Sequence, residues 1–521
     1  MTTTTTLTEH NGANCDETVF TPDGPVVGRK TIAANGQQVY TFQGIPYAQA
    51  PTGNYRFQYP IKVKSWADLA KNASSYYQDA CLQKDTLSAI GTEDCLRISI
   101  FTIDRDDEKL LPVFVWIHTH HSKGGISEVS PESGYKNNIA ARGIVAVTFN
   151  FRVGVMALNE TINLGFKDQQ MALQWIKENI EYFGGDPARV TLAGSGSGAE
   201  FVLVHMKDKA SSGLFSAAIL QSGQYARERF MSCLAIEQLK KRIGCHEKDL
   251  QCLNRKSSND LLDASEDLNF VPCINHFKVN DPIVNKVPVL IGVNKDESAS
   301  DEIFRILYKK SEIANFNETD FIKKLNHTAE ALAMENDWAY THTRRLLLRN
   351  YFENPPKLPE TWFSRFVKMT TESEYEGPML QVIKRLEGVN VYAYLFSHYS
   401  DAEMIGLPWK GVLHGSELQY LFSQPGISIR KDLSFSPTTS DLNMVNTMGA
   451  LWANFIKYRD PTPERKKFRW IKVASPRTFE NGSLNHVILK PSPVQLSHLT
   501  SDTVTVWVGE LRDYMDAQKK I

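Results

Sequence analysis

Short apolar runs, separated by stretches with helical spacing, recur along the chain. Six runs stand out: 112–118 (Pro-Val-Phe-Val-Trp-Ile-His), 144–150, 189–193, 216–220, 287–293 and 391–396. Each is short, bounded by turn residues and rich in β-branched or aromatic side chains, so each predicts a strand buried on both faces. Between them the apolar positions take a longer period. Residues 167–183 carry Met171, Trp175, Ile176, Ile180 and Phe183 at helical spacing and stop at Gly184-Gly185, the signature of a helix C-terminus. Strands alternating with helices predict an α/β fold: a large, mostly parallel central sheet with helices on both faces. Residues 1–20 are polar and expected to fray. Residues 21–521 contain no linker, repeat or low-complexity segment and are read as one domain. A last helical stripe, Leu511, Tyr514 and Met515, falls between Val508 and Lys519.

Composition adds little to that pattern but removes several partners. With 521 residues, 42% hydrophobic, the chain can build a sizeable core. Its formal net charge of −1 favours neither nucleic acid nor an anionic membrane surface. Basic runs such as Arg465-Lys466-Lys467 and Lys240-Lys241-Arg242 read as solvated surface. No run of ~20 apolar residues exists to span a bilayer, and Met1-Thr-Thr-Thr-Thr-Thr-Leu-Thr lacks the apolar core of a signal peptide. Five N-x-S/T sequons, at Asn72, Asn159, Asn317, Asn326 and Asn481, fit a secretory route. The expectation of a secreted or cell-surface ectodomain rests on the cysteine pairs that the resemblance below implies, an odd total of seven leaving at least one thiol unpaired within the chain. A cytoplasmic protein with free thiols is the alternative. No cofactor is expected.

The chemistry centres on Gly194-Ser-Gly-Ser-Gly198. A nucleophile elbow needs Gly two residues before and two after its serine, because the turn is tight and strained. Only position 196 has glycine on both sides at that spacing, and position 196 is itself glycine. Other landmarks stand in order: Gly44-Ile-Pro-Tyr-Ala48, Gly53-Asn-Tyr-Arg-Phe57, Glu93-Asp-Cys-Leu96, Asn150-Phe-Arg-Val-Gly154, Lys167-Asp-Gln169, the run from Phe183 to Gly194, Ile219-Leu-Gln-Ser-Gly223, Lys295-Asp-Glu297, His414-Gly415 and Trp452-Ala-Asn-Phe455. Together they resemble the type-B carboxylesterase and cholinesterase family, where the Phe183–Gly194 run leads into Gly-Glu-Ser-Ala-Gly. The resemblance implies an α/β-hydrolase fold over nearly the whole chain.

It also implies roles. Glu297 and His414 match the acid and base of the family triad, with Gly196 at the nucleophile position. Thr119, His120 and His121 fall on the three glycines of the oxyanion loop, and Ser197 retains an N–H beside the elbow. Disulfides Cys81–Cys95 and Cys245–Cys252, and structural ion pairs Arg56–Glu93 and Arg152–Asp168, follow from the same likeness. Cys15, Cys233 and Cys273 remain unassigned, and the C-terminal helix matches one that pairs in family dimers. His118, His120 and His121 raise a zinc site, but a histidine-plugged pocket is the simpler reading and no metal is expected. The loop between Cys81 and Cys95 holds no Trp, which disfavours choline as a ligand. The expectation is a non-catalytic protein similar to the adhesion proteins neuroligin, neurotactin and glutactin, binding a protein partner outside the cell. A carrier of an apolar small molecule, or a residual esterase using Ser195 or Ser197, are the alternatives.

Overall fold

The computed structural model describes residues 16–66, 69–75, 80–84, 89–103, 109–118, 132–158, 163–223, 233–245, 250–266, 268, 281–299, 313, 315–333, 337–352, 361–401, 404, 409–422, 436–464, 468–473 and 484–496. Its centre is a 13-stranded sheet. The strands are β1 (Asp16–Thr21), β2 (Gly24–Ile32), β3 (Gln38–Pro46), β4 (Lys71–Asn72), β5 (Arg97–Thr102), β6 (Leu111–Ile117), β7 (Val145–Phe149), β8 (Gly185–Ser195), β9 (Ala217–Gln221), β10 (Val289–Asn294), β11 (Val391–Phe396), β12 (His486–Leu489) and β13 (Val494–Leu496). Their spatial order is β1-β2-β3-β5-β7-β6-β8-β9-β10-β11-β12-β13, with β4 beside β2. From β7 across to β12 every pairing is parallel, while β1, β2, β3, β5 and β7 pair antiparallel in turn and the short β4 adds to β2 in parallel.

All six expected strands lie in that parallel block, because only a strand covered on both faces reads as an unbroken apolar run. Val113, Val115 and Ile117 of β6 enter the core layer on one face, and Phe114 and Trp116 enter the other. The antiparallel margin went unread: β2 alternates buried and partly exposed positions along its length, a weaker signal. Residues 16–20, expected to fray, form most of β1 and pair with β2. The ladder of main-chain bonds outweighs their polar composition.

The helices cover both faces. α1 (Leu164–Asn179) begins three residues before the apolar pattern, where the Asn163 side chain accepts the Phe166 N–H at 2.9 Å. It closes through a 3₁₀ turn onto Gly184 at φ 78°, a conformation that suits glycine. α2 (Ser197–Lys207) follows β8 directly. α3 (Glu318–Ala333), α4 (Asp337–Tyr351) and α5 (Trp362–Thr371) form a separate aromatic-rich cluster around Phe321, Phe363 and Phe366. α6 (Gly377–Arg385) contributes to the same core layer as α1 and α2, and α7 (Thr439–Tyr458), opened by a Thr438–Asp441 capping box, covers the opposite face.

Two ion pairs tie the landmarks together. Asp168 on α1 accepts Arg152 Nε at 2.8 Å, Nη2 at 2.7 Å and the Arg152 main-chain N–H at 3.0 Å, with both side chains buried. Arg56 meets Glu93 through two nitrogens, at 2.9 and 2.5 Å. Cys81–Cys95 and Cys245–Cys252 are bonded.

Candidate active site

β8 ends at Ser195, whose Cα pairs with Gln221 of β9, while Gly194 pairs with Ile117 of β6. The chain turns at Gly196, with φ 52° and ψ −125°, and enters α2 at Ser197. The turn is held by Gly196 N–H to the Gln221 carbonyl at 2.8 Å and Glu200 N–H to the Gly196 carbonyl at 3.1 Å. Its two flanks are closed to side chains. A Cβ on Gly194 would lie 2.4 Å from the Gly198 carbonyl carbon, and one on Gly198 would lie 2.3 Å from the Ile117 oxygen. Position 196 is therefore the apex of a strand–turn–helix elbow, and the apex carries no side-chain oxygen.

The remaining triad positions converge. Glu297 follows β10, is 1% exposed, and accepts the Asn294 main-chain N–H on Oε1 at 2.7 Å. Its Oε2 lies 2.6 Å from His414 Nδ1. That contact orients an imidazole whose side chain keeps about a fifth of its surface exposed, 21%. The Tyr375 ring stands beside it, centroids 5.5 Å apart. A buried carboxylate fixing one ring nitrogen is the second half of a hydrolase relay.

Ser195, one residue before the apex, points its hydroxyl to Glu417 Oε1 at 3.3 Å in the buried layer at the strand ends. Glu417 also accepts Gln221 Nε2 at 3.0 Å and Asn294 Nδ2 at 2.6 Å. Burial, and then the Glu297 charge, push the Glu417 carboxyl up. Ser197 opens α2 and is half-buried. Glu417, Asn294 and Gln221 escaped the reading of the sequence. Glu417 stands three residues beyond His414 in His-Gly-Ser-Glu, and that proximity to a candidate base was the available signal. Glu376 was also missed. It ends a π-turn (Glu372–Glu376) next to Tyr375, and burial with Glu372 close by pushes its carboxyl up to about 8.

His118, just past β6, is buried with its ring stacked on Phe151 at 4.4 Å. Thr119, His120 and His121 lie outside the described residues. Among the described residues no group of three or more His, Cys, Asp or Glu is placed to hold a metal ion. Of the sequons, Asn72 and Asn317 are exposed, whereas the Asn326 amide oxygen accepts Arg344 Nε at 2.8 Å and Thr328 is buried. Asn159, Asn481, Cys15, Cys273 and residues 508–519 lie outside the described residues, and Cys233 opens a helix to Arg242. No helix among the described residues is long and apolar enough to cross a membrane.

A model of the carboxylesterase family matches residues 15–504. The chain belongs to the carboxylesterase family. Relatives within it include the juvenile hormone esterase of Tribolium castaneum, 27% identical over 86% of this chain and 84% of the relative. The acetylcholinesterase of Bungarus fasciatus is 28% identical over 87% of this chain and 80% of its own length. The cholinesterase of Mus musculus is 26% identical over 86% and 79%. As a carboxylesterase-family fold, the chain keeps the elbow backbone and the acid–base pair; the apex residue differs from the serine of the family pattern.

Proposed function

We propose that this family member is a non-catalytic esterase-like protein, acting outside the cell or at its surface as a scaffold for a protein partner. The observation that carries the reading is Gly196 at the apex of an otherwise complete elbow. Ester cleavage by this machinery requires an oxygen there that His414 can deprotonate. In a serine protease, removal of the nucleophile costs about 10⁶ in turnover. Glycine adopts φ 52° without the strain a seryl residue bears, so its loss of activity brings a gain in local stability. The two disulfides support an oxidising compartment. Thr119, His120 and His121, standing where the family pattern has the oxyanion-loop glycines, weigh in the same direction.

A second reading rests on the Glu297–His414 contact, which is intact. It is residual hydrolysis with His414 as base and Ser197, or Ser195 after a shift of the turn, as nucleophile. Turnover of p-nitrophenyl butyrate separates the two. The scaffold reading expects no hydrolysis above buffer and no change on His414→Ala. Hydrolysis that disappears in His414→Ala and in either Ser195→Ala or Ser197→Ala establishes the second. Adhesion itself is tested by aggregation of cells displaying the chain, which should persist in His414→Ala.

A further inference from the structure

At the far end of the sheet from the elbow, where the parallel strands begin, two cations meet the contact between α7 and the turn at Gly143. Arg142 precedes Gly143 at the entry to β7, and Lys457 lies in the last turn of α7. The guanidinium lies against α7 at Gly449: a Cβ on that glycine would fall 2.8 Å from Arg142 Nη2 and 2.9 Å from Nε. It is fixed there by Nε donating to Asn138 Oδ1 at 3.1 Å. Asn138 in turn donates to the Tyr420 and Leu421 carbonyls at 3.1 and 2.7 Å, so its orientation is set. The Lys457 ammonium stands 3.6 Å from where a Cβ on Gly143 would lie. Among the described residues neither cation enters an ion pair, and the bond to Asn138 uses one of the five guanidinium donors.

Half-buried like charges within electrostatic reach of each other oppose each other, and burial removes the water that would screen them. Burial and then Arg142 and Lys109 hold the Lys457 ammonium below its ordinary range, and burial does the same to Arg142. An anion between them would relieve the repulsion and take up the free N–H donors at once.

We propose that Arg142 and Lys457, with Lys109 beside them, form a binding site for a doubly charged oxyanion of sulfate or phosphate type. The site is independent of the elbow and of whether the chain hydrolyses esters. Such groups arrive either as free anions or on a sulfated polysaccharide.

Titration calorimetry of the whole chain with sodium sulfate, at ionic strength matched by chloride, tests the site; heparin oligosaccharide in a second series separates the two sources. The expected result is saturable sulfate binding that weakens about tenfold in Lys457→Gln, the loss of one charge-assisted hydrogen bond. Lys109→Gln, on the exposed rim, should weaken it less. A melting temperature of Lys457→Gln in chloride at or above that of wild type shows that the variant folds, and Lys109→Gln serves where it does not. Tighter binding of heparin than of sulfate assigns a polymeric ligand, and equal or weaker binding assigns a free anion. A wild-type chain indifferent to sulfate, or variants that bind as well as wild type, overturns the proposal.

Discussion

Replacing the three glycines of the elbow one at a time should destabilise the fold in a fixed order. At Gly196, φ 52° and ψ −125° place the backbone where an L-residue bears strain. Holding a side chain in such a region costs about 1–3 kcal/mol. Gly196→Ala also narrows the unfolded ensemble, which returns about 0.4–1 kcal/mol, so the net loss is about 1–2 kcal/mol. Gly198 has an ordinary φ and a different difficulty. A Cβ there would lie 2.3 Å from the Ile117 oxygen and 3.2 Å from the Ile117 carbonyl carbon. Both are main-chain atoms, and β6 sits between β7 and β8, so relief requires moving a central strand. Overpacking a core with that little freedom costs about 3 kcal/mol or more. Gly194→Ala meets the main chain of Gly198 at 2.4 Å and belongs with it. Urea unfolding followed by tryptophan fluorescence gives the three values directly. The order should be wild type, Gly196→Ala, then Gly194→Ala and Gly198→Ala well below. A Gly196→Ala protein as stable as wild type would mean that the apex does not have the left-handed backbone of an elbow, and the assignment of the vacant position would fail with it.

Other consequences follow from buried charges and links. Asp168→Ala leaves Arg152 buried without its partner and should cost about 3–5 kcal/mol in the same unfolding assay, whereas a loss under 1 kcal/mol would mean that water replaces the carboxylate. Cys81→Ser opens a loop with a sequence separation of 14 and should cost about 3 kcal/mol, with no further loss on adding a reductant selective for that bond. His205 is buried between Ser211 and Gln169, and burial holds its imidazole down to about 3. An unfolded imidazole titrates near ~6.5. The unfolded chain therefore takes up a proton that the folded one excludes. The stability tied to His205 is complete above ~6.5 and falls away toward about 3, by about 2 kcal/mol between pH 6.5 and 5. His205→Gln should flatten that part of the pH–stability curve; an unchanged slope would show that another group carries it.

The parallel half of the sheet was legible because its strands are apolar on both faces, and the helix leading to Gly184 because its stripe is long. The antiparallel margin was not, since β2 and β3 present polar residues on one side. Nor was the aromatic cluster of α3, α4 and α5, whose apolar positions pack on each other and not on the sheet. At the site, the elbow register followed from glycine spacing, and the clashes that Cβ atoms at Gly194 and Gly198 would meet supply its physical reason. The pairing of Glu297 with His414 came from family likeness, for nothing local relates two residues 117 positions apart. Glu417 and its hydrogen bonds to Ser195, Gln221 and Asn294 were invisible because they join four separate segments at the ends of β8, β9 and β10.

A serine-directed fluorophosphonate probe, applied to the purified chain and read by peptide mass spectrometry, puts the vacant apex to the most direct trial. With glycine at the apex, the adduct should be missing from every serine at probe concentrations that label an active esterase to completion. Stoichiometric modification of Ser195 or Ser197 would instead identify a working nucleophile and contradict the non-catalytic account.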